Sequence, residues 1–148
     1  MVKRQRVYRY YSLIINAQNM NHTILLIEDN KQNRYLATFL LEQRGHKVVS
    51  ALDGPSGIVL AQTLAPELIL LDIQLPVVDG YTVARTLRGV DLLDRTPIIA
   101  VTSYAMPGDR EKCLAAGCNG YIEKPINPET FVTEIERFLT PPYGADTP

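Results

Sequence analysis

The 148-residue sequence predicts an α/β protein with a doubly wound, five-stranded parallel sheet and five helices. Three observations lead there. From Thr23 onward, short strand-like runs alternate with helical patterns, the mark of successive strand–helix units. Five such cycles can be counted along the chain. The strand runs are also rich in leucine and β-branched residues, as expected of strands covered on both faces.

The first strand is Thr23–Ile27. Asn30 can cap the free amides of the helix that follows, Lys31–Arg44, and Gly45 can take the left-handed turn beyond it. Within that helix Tyr35, Leu36, Phe39, Leu40 and Gln43 follow three- and four-residue spacing, which predicts that most of the stripe is buried against the sheet. The second strand is Lys47–Ala51; Pro55 fits the first turn of a helix ending near Leu64, and Pro66 stops it. The third strand, Leu68–Leu71, leads to a loop stiffened by Pro76, a turn permitted by Gly80 and a helix over Tyr81–Arg88. Ile98–Val101 is the fourth strand, followed by a helix over Gly108–Ala116 that ends at Gly117. After a fifth strand, Tyr121–Glu123, the last helix has Asn127 as cap, Pro128 in its first turn, and Phe131, Val132, Ile135, Phe138 and Leu139 facing inward.

Composition narrows the class of protein. At 148 residues there is room for one ordinary core and a modest extension, and 46% hydrophobic against 21% charged residues argues against wholesale disorder. The longest apolar runs are four residues, as in Ile24–Ile27, far short of the ~20 a membrane span needs. A net charge of −1 excludes a strongly basic nucleic-acid binder. Residues 1–20 nevertheless hold Lys3, Arg4, Arg6 and Arg9 and no acid. The apolar Leu13-Ile14-Ile15 within them is too short for a secretory signal, so a cytoplasmic location is expected. Met20 directly precedes the first strand, which favours a dispensable leader over a docking or membrane-surface segment built on Tyr8, Tyr10 and Tyr11. The expected layout is an extension over 1–20, possessing no periodicity that demands packing, a domain over 21–140 and a loose tail over 141–148. Cys113 and Cys118 have no further metal ligand beside them and read as buried or half-buried thiols.

In an open parallel sheet, ligands bind beyond the carboxyl ends of the strands. Here the first strand ends in Glu28-Asp29, the third in Asp72, the fourth in Thr102-Ser103 and the fifth in Lys124-Pro125. Singly, each has an ordinary explanation, such as a helix cap or a solvated lysine. Jointly, four strand ends supply complementary groups to one edge. Three carboxylates about 5 Å apart repel at about 3 kcal/mol per pair at an effective dielectric near 20, so a cation belongs among them. Lys124 offsets part of the charge; the oxygen-rich remainder suits Mg²⁺ where a phosphoryl group is also bound. A carboxylate in such a site can attack phosphorus and form an acyl phosphate.

This arrangement resembles the response-regulator receiver domain, the CheY-like phosphoacceptor of two-component signalling. It rests on Glu28-Asp29, the run from Leu71-Asp72 through Gln74-Leu75-Pro76 to Asp79-Gly80, Thr102-Ser103 and Lys124-Pro125, and covers about Thr23 to Leu139. Asp109–Leu114 with Ala116-Gly117-Cys118 is further similar to single-domain receivers of the DivK type and to receivers of hybrid sensor kinases. The resemblance implies a flavodoxin-like sheet in the order 2-1-3-4-5. It implies Asp72 as the phosphorylated nucleophile, Mg²⁺ held by Glu28, Asp29, Asp72 and the carbonyl of Gln74, and Lys124 and Thr102 contacting the phosphoryl oxygens. It also implies a cis peptide between Lys124 and Pro125, a switch pair of Thr102 and Tyr121, and a responsive face formed by the fourth helix, fifth strand and fifth helix. Tyr121 equally suits an ordinary half-buried aromatic. Tyr104 would border the phosphoryl site and, with Gln74, slow hydrolysis of the acyl phosphate.

A histidine kinase or histidine phosphotransfer protein is the donor the resemblance implies. It would dock through Asn30, Lys31, Asn33, Arg34, Pro125 and Ile126, which also suit a plain solvent-facing helix start and loop. An aspartyl phosphohydrolase would need an acid two residues past the nucleophile, where Gln74 stands. A receiver-like domain that is never phosphorylated would lack one of the acids, the threonine or the lysine, and all are present. The few residues after Leu139 cannot form a DNA-binding domain, so output is expected to pass through a downstream effector protein, without direct DNA contact and without a membrane span.

Overall fold

The structure, a computed structural model, describes residues 21–103 and 106–139. The expectations for the leader over 1–20, for the tail and for Tyr104 lie outside the described residues. The elements in chain order are β1 (Thr23–Ile27), α1 (Lys31–Gln43), β2 (Lys47–Ala51), α2 (Gly54–Leu64), β3 (Leu68–Asp72), α3 (Gly80–Arg88), a single 3₁₀ turn (Asp91–Leu93), β4 (Ile98–Thr102), α4 (Asp109–Ala115), β5 (Gly120–Glu123) and α5 (Phe131–Leu139). All strand pairs are parallel and the order is β2-β1-β3-β4-β5, as expected.

Because side chains alternate along a strand, the continuous apolar runs feed two cores at once. Ile24, Leu26, Leu68, Leu70, Ile99 and Val101 pack with Ala37 and Leu41 of α1 and Phe131 and Ile135 of α5. On the opposite face Leu25, Ile27, Ile69, Leu71, Ile98 and Ala100 pack with residues of α2, α3 and α4. Each buried Leu or Ile contributes about 1.5–3 kcal/mol relative to exposure, so β1, β3 and β4 form the rigid centre that carries the strand ends. Cys113 and Cys118 are buried, and burial pushes both thiols up, Cys118 to about 12, so neither forms a reactive thiolate near neutral pH.

The structure corrects the expected burial of the Tyr35–Gln43 stripe. The inner face of α1 is Ala37 and Leu41, whereas Tyr35 is 73% and Phe39 47% exposed. Their rings stack at 6.3 Å over a groove shared with Ser50 of β2. β2 is the edge of the sheet, so among the described residues no further strand covers that side of the helix.

Smaller departures also have physical reasons. The final helix begins at Phe131 and not at Pro128, because the Asn127 carbonyl accepts from both Thr130 N (3.1 Å) and Phe131 N (2.9 Å) and closes a tighter turn first. Phe138 is not fully inward: it is 38% exposed and its ring covers Gly120, where an added Cβ would come within 2.6 Å of Cζ. Gly80 is the first residue of α3 and makes no left-handed turn; its lack of a side chain lets the helix start press on the Asp72–Ile73 backbone, 2.5–2.6 Å from where a Cβ would sit. Arg88 adds an unforeseen tie, donating to the carbonyls of Gly117 (2.8 Å) and Leu93 (2.9 Å) and to Asn119 Oδ1 (2.6 Å), and so fixes the turn between α4 and β5.

Candidate functional site

β3 and β4 each run one residue further than their apolar content suggested, so Asp72 and Thr102 are themselves the last strand residues. Asp72 stands in register with Val101 of β4, while β1, on the other side of β3, ends directly before Glu28 and Asp29. Pairing of these central strands therefore gathers acids far apart in sequence. Carboxylate oxygens of Glu28, Asp29 and Asp72 lie within 4.8 Å of one another. Glu28 and Asp72 are each only 3% exposed, and Asp29 faces solvent.

Lys124 enters from the end of β5. Its backbone N–H donates to the Thr102 carbonyl at 2.8 Å, continuing the ladder, and its peptide bond to Pro125 is cis, as expected. The ammonium reaches Glu28 at 3.1 and 3.2 Å and Asp72 Oδ2 at 3.3 Å. One ammonium thus serves both buried acids. Burial, together with the adjacent Asp72 carboxylate, pushes the Glu28 carboxyl up to about 7, while the Asn33 hydrogen bond and Lys124 pull the other way without prevailing.

The loop from β1 to α1 is built by residues expected on the partner-docking face. Asn33 Nδ2 donates to Glu28 Oε1 (2.9 Å), and Arg34 donates to the carbonyls of Glu28 (3.1 Å) and Asp29 (2.9 Å). Asn30 caps α1, its Oδ1 accepting from Asn33 N at 2.9 Å. The signal was available in sequence, since Asn33 and Arg34 stand one helical turn past the acids. Lys31 is exposed, as is Pro125; Ile126 is half-buried and lines a cleft with Leu36 and Phe131 that runs down to Glu28, Asp72 and Lys124.

On the other side of the cluster, Gln74 N donates to Asp72 Oδ1 at 2.9 Å. Its side-chain oxygen accepts from Ser103 N at 3.1 Å, tying the loop after β3 to the end of β4. Val78 N donates to Pro76 O at 2.8 Å across Val77, whose φ of 71° is a strained setting for a β-branched residue. Asp79 then caps α3 through Thr82 N (3.0 Å), which holds its carboxyl below the usual range. Thr102 is 1% exposed beside Asp72; Tyr121 is half-buried on β5 against the α3–α4 core, where burial pushes its phenol up. The structure brings Glu28, Asp29, Asp72 and Lys124 into direct contact range, and Gln74 touches Asp72 through its amide.

The donor set is all oxygen, two of its three acids are buried, and negative charge exceeds the one ammonium. These residues fit a hard divalent cation such as Mg²⁺.

Residues 24–136 match the family described as the response regulator receiver domain. The chain is 39% identical over 120 residues to the polar-differentiation response regulator DivK of Brucella anthropi and 38% identical to that of Brucella abortus; each match covers 81% of this chain and 98% of the relative. Among solved structures, the receiver domain of the sensor histidine kinase PA1611 from Pseudomonas aeruginosa is 37% identical with a TM-score of 0.75, covering 80% of this chain and 98% of that one. That protein was described with a magnesium ion coordinated in its active-site cleft. The chemotaxis response regulator CheY4 of Vibrio cholerae is 27% identical with a TM-score of 0.76 over the same shares.

Proposed function

The chain belongs to the response regulator receiver domain family, and on that premise we propose that it takes a phosphoryl group from a phosphohistidine onto Asp72 and thereby changes its protein partners. The observation that carries this reading is a buried Asp72 with a lysine ammonium 3.3 Å from one oxygen and two further acids within 4.8 Å. In a two-component system the donor is a histidine kinase or a histidine phosphotransfer protein. The Asp72 carboxylate attacks phosphorus, the P–N bond to the imidazole breaks as the new P–O bond forms, and the imidazole departs.

Each nearby group has a task in that step. Gln74 N–H holds Asp72 Oδ1 and so leaves the other oxygen oriented for attack. Lys124 exchanges part of its contact with Glu28 and Asp72 for the phosphoryl oxygens, and Thr102 supplies a hydroxyl to them. Glu28, Asp29, Asp72 and the Gln74 carbonyl are the groups that would hold Mg²⁺. Bound there, the ion supplies neutralisation of charge on the phosphoryl oxygens. The acyl phosphate carries about −1.5 to −2 charges in place of the carboxylate's −1 and adds three acceptor oxygens, so Thr102 and the Lys124 loop gain partners that exist only in the modified state. Tyr121 and the α4–β5–α5 face respond, and a downstream effector reads the change. Asn30, Lys31, Asn33, Arg34, Pro125 and Ile126 surround the cleft as the donor's landing surface; Asn33 and Arg34 do so while also bracing the acidic loop. The DivK relatives are matched over 98% of their length by this receiver domain, which supports output through a separate protein; a cytoplasmic location is part of the same proposal.

Incubation with acetyl phosphate and Mg²⁺, followed by intact mass and peptide mapping, tests the assignment. One phosphoryl group should appear on the peptide carrying Asp72 and should be absent from Asp72→Asn and after chelation of the metal. Label on another peptide, or labelling that survives Asp72→Asn, would overturn it.

A further inference from the structure

At the opposite end of the sheet, where the strands begin, a second group of titratable side chains joins elements far apart in sequence. His46, in the turn between α1 and β2, has a side chain with 0% exposure. Its Nε2 lies 3.1 Å from Glu136 Oε2 in α5, and its Nδ1 lies 3.3 Å from the backbone nitrogen of His22, just before β1. Arg44 donates to the other oxygen of Glu136 at 2.8 Å. The His22 ring is 5.6 Å from that of His46, and His22 Nε2 stands 3.4 Å from Glu67. Lys47, next in sequence, is exposed.

These contacts suit one protonation state. A backbone N–H can only donate, so Nδ1 must present its lone pair to His22, and the single proton of the neutral ring then sits on Nε2, donating to Glu136. A second proton on Nδ1 would point at that N–H with no acceptor, on a fully buried ring that already has Arg44 and His22 nearby. Glu136 favours the cation, but burial outweighs it and holds the ring below its ordinary pKa.

We infer that His46 is a proton-operated clasp: neutral, it ties the α1–β2 turn to the start of β1 by accepting from His22 N while also holding Glu136 of α5, and protonated, it keeps Glu136 but lets go of the start of β1. Nothing in the clasp depends on Asp72.

Imidazole ¹⁵N shifts and amide hydrogen exchange of the unphosphorylated, metal-free full chain, followed from about pH 7.5 to about pH 4.5, test it. The expected result is an Nε2–H tautomer at pH 7.5 and a loss of protection at the amides of His22 and Lys47, about tenfold or more after correction for intrinsic exchange, that tracks the His46 titration. His46→Gln offers a donor to Glu136 and an acceptor to His22 but cannot titrate, so it should keep its protection at low pH. An Nδ1–H tautomer, protection that stays flat to pH 4.5, or an equal loss in His46→Gln, which would belong to Glu28 or His22, overturns the clasp. Should His46→Gln fail to fold, the wild-type tautomer and the coincidence of the two titrations decide.

Discussion

The two rims of the sheet handle charge in opposite ways. At the carboxyl rim, Glu28, Asp29 and Asp72 crowd within 4.8 Å around one ammonium, and the Glu28 carboxyl is pushed up to about 7. At the amino rim the acids have partners: Glu136 takes Arg44 on one oxygen and His46 on the other, and His22 faces Glu67. A fold has no structural reason to bury like charges together, since doing so costs stability. The proposed cation and phosphoryl group would account for the crowding at the carboxyl rim, whereas the amino rim serves as a joint.

The largest effect expected from breaking this contrast comes at Lys124. Lys124→Gln leaves two buried carboxylates without their cation and should destabilise the metal-free protein by about 3 kcal/mol, while lowering Asp72 phosphorylation by acetyl phosphate about 10²-fold. Urea unfolding and the rate of mass gain measure the two losses. A variant with normal stability would mean that the acids do not need the lysine.

Removing one negative charge from each rim should give opposite signs. Glu28→Gln should stabilise the metal-free protein by about 1–2 kcal/mol, because it relieves repulsion, whereas Glu136→Gln should destabilise it by about 1–2 kcal/mol, because it removes the partner of Arg44 and weakens the acceptor of His46. Thermal or urea melts at pH 7 compare the pair. Two shifts of the same sign would erase the distinction between the rims.

The pH dependence follows the same division. The Glu28 carboxyl is raised from 4.5 to about 7 on folding, so the stability it favours is present below pH 4.5 and is lost as pH rises through 7. The His46 ring is lowered from 6.5, so the folded state is favoured above pH 6.5, and that contribution is lost as pH falls below it. Urea midpoints of the metal-free protein should therefore carry two opposing slopes. Glu28→Gln should remove the first and His46→Gln the second; saturating Mg²⁺ should also suppress the first. The smallest effect expected is at Val77, 87% exposed with a φ of 71°, where Val77→Gly should raise stability by about 0.5–1 kcal/mol by relieving strain. An unchanged melting temperature there would mean the turn relaxes in solution.

Much of the molecule was readable before any coordinates. β1 and β2 begin and end where expected; for β1 the reason is that a central parallel strand is apolar on both faces, as Ile24–Ile27 are, and the acids after it are not. Asp72 and Lys124 were legible for a related reason: a polar residue closing such a run sits at the sheet's rim, and rims of parallel sheets are where ligands bind. Tyr35 and Phe39 were misread because helical spacing identifies a stripe but not what lies beneath it; the edge position of β2 exposes one flank of α1, and the smaller Ala37 turns inward. Asn33, expected on the docking face, also donates to Glu28, a local contact that its place one helical turn past the acids made readable in the sequence.

The amino-acid order alone therefore determined the number, type and succession of the elements and the kinds of chemical group at each strand end, since periodicity and residue type act locally. Tertiary structure alone decided which face of α1 is buried, that Arg88 holds the α4–β5 turn, and that His46 meets Glu136 ninety positions away. Those outcomes depend on distances between elements, and distances are set only when the two cores close on the sheet and leave each buried polar atom to find a partner within reach.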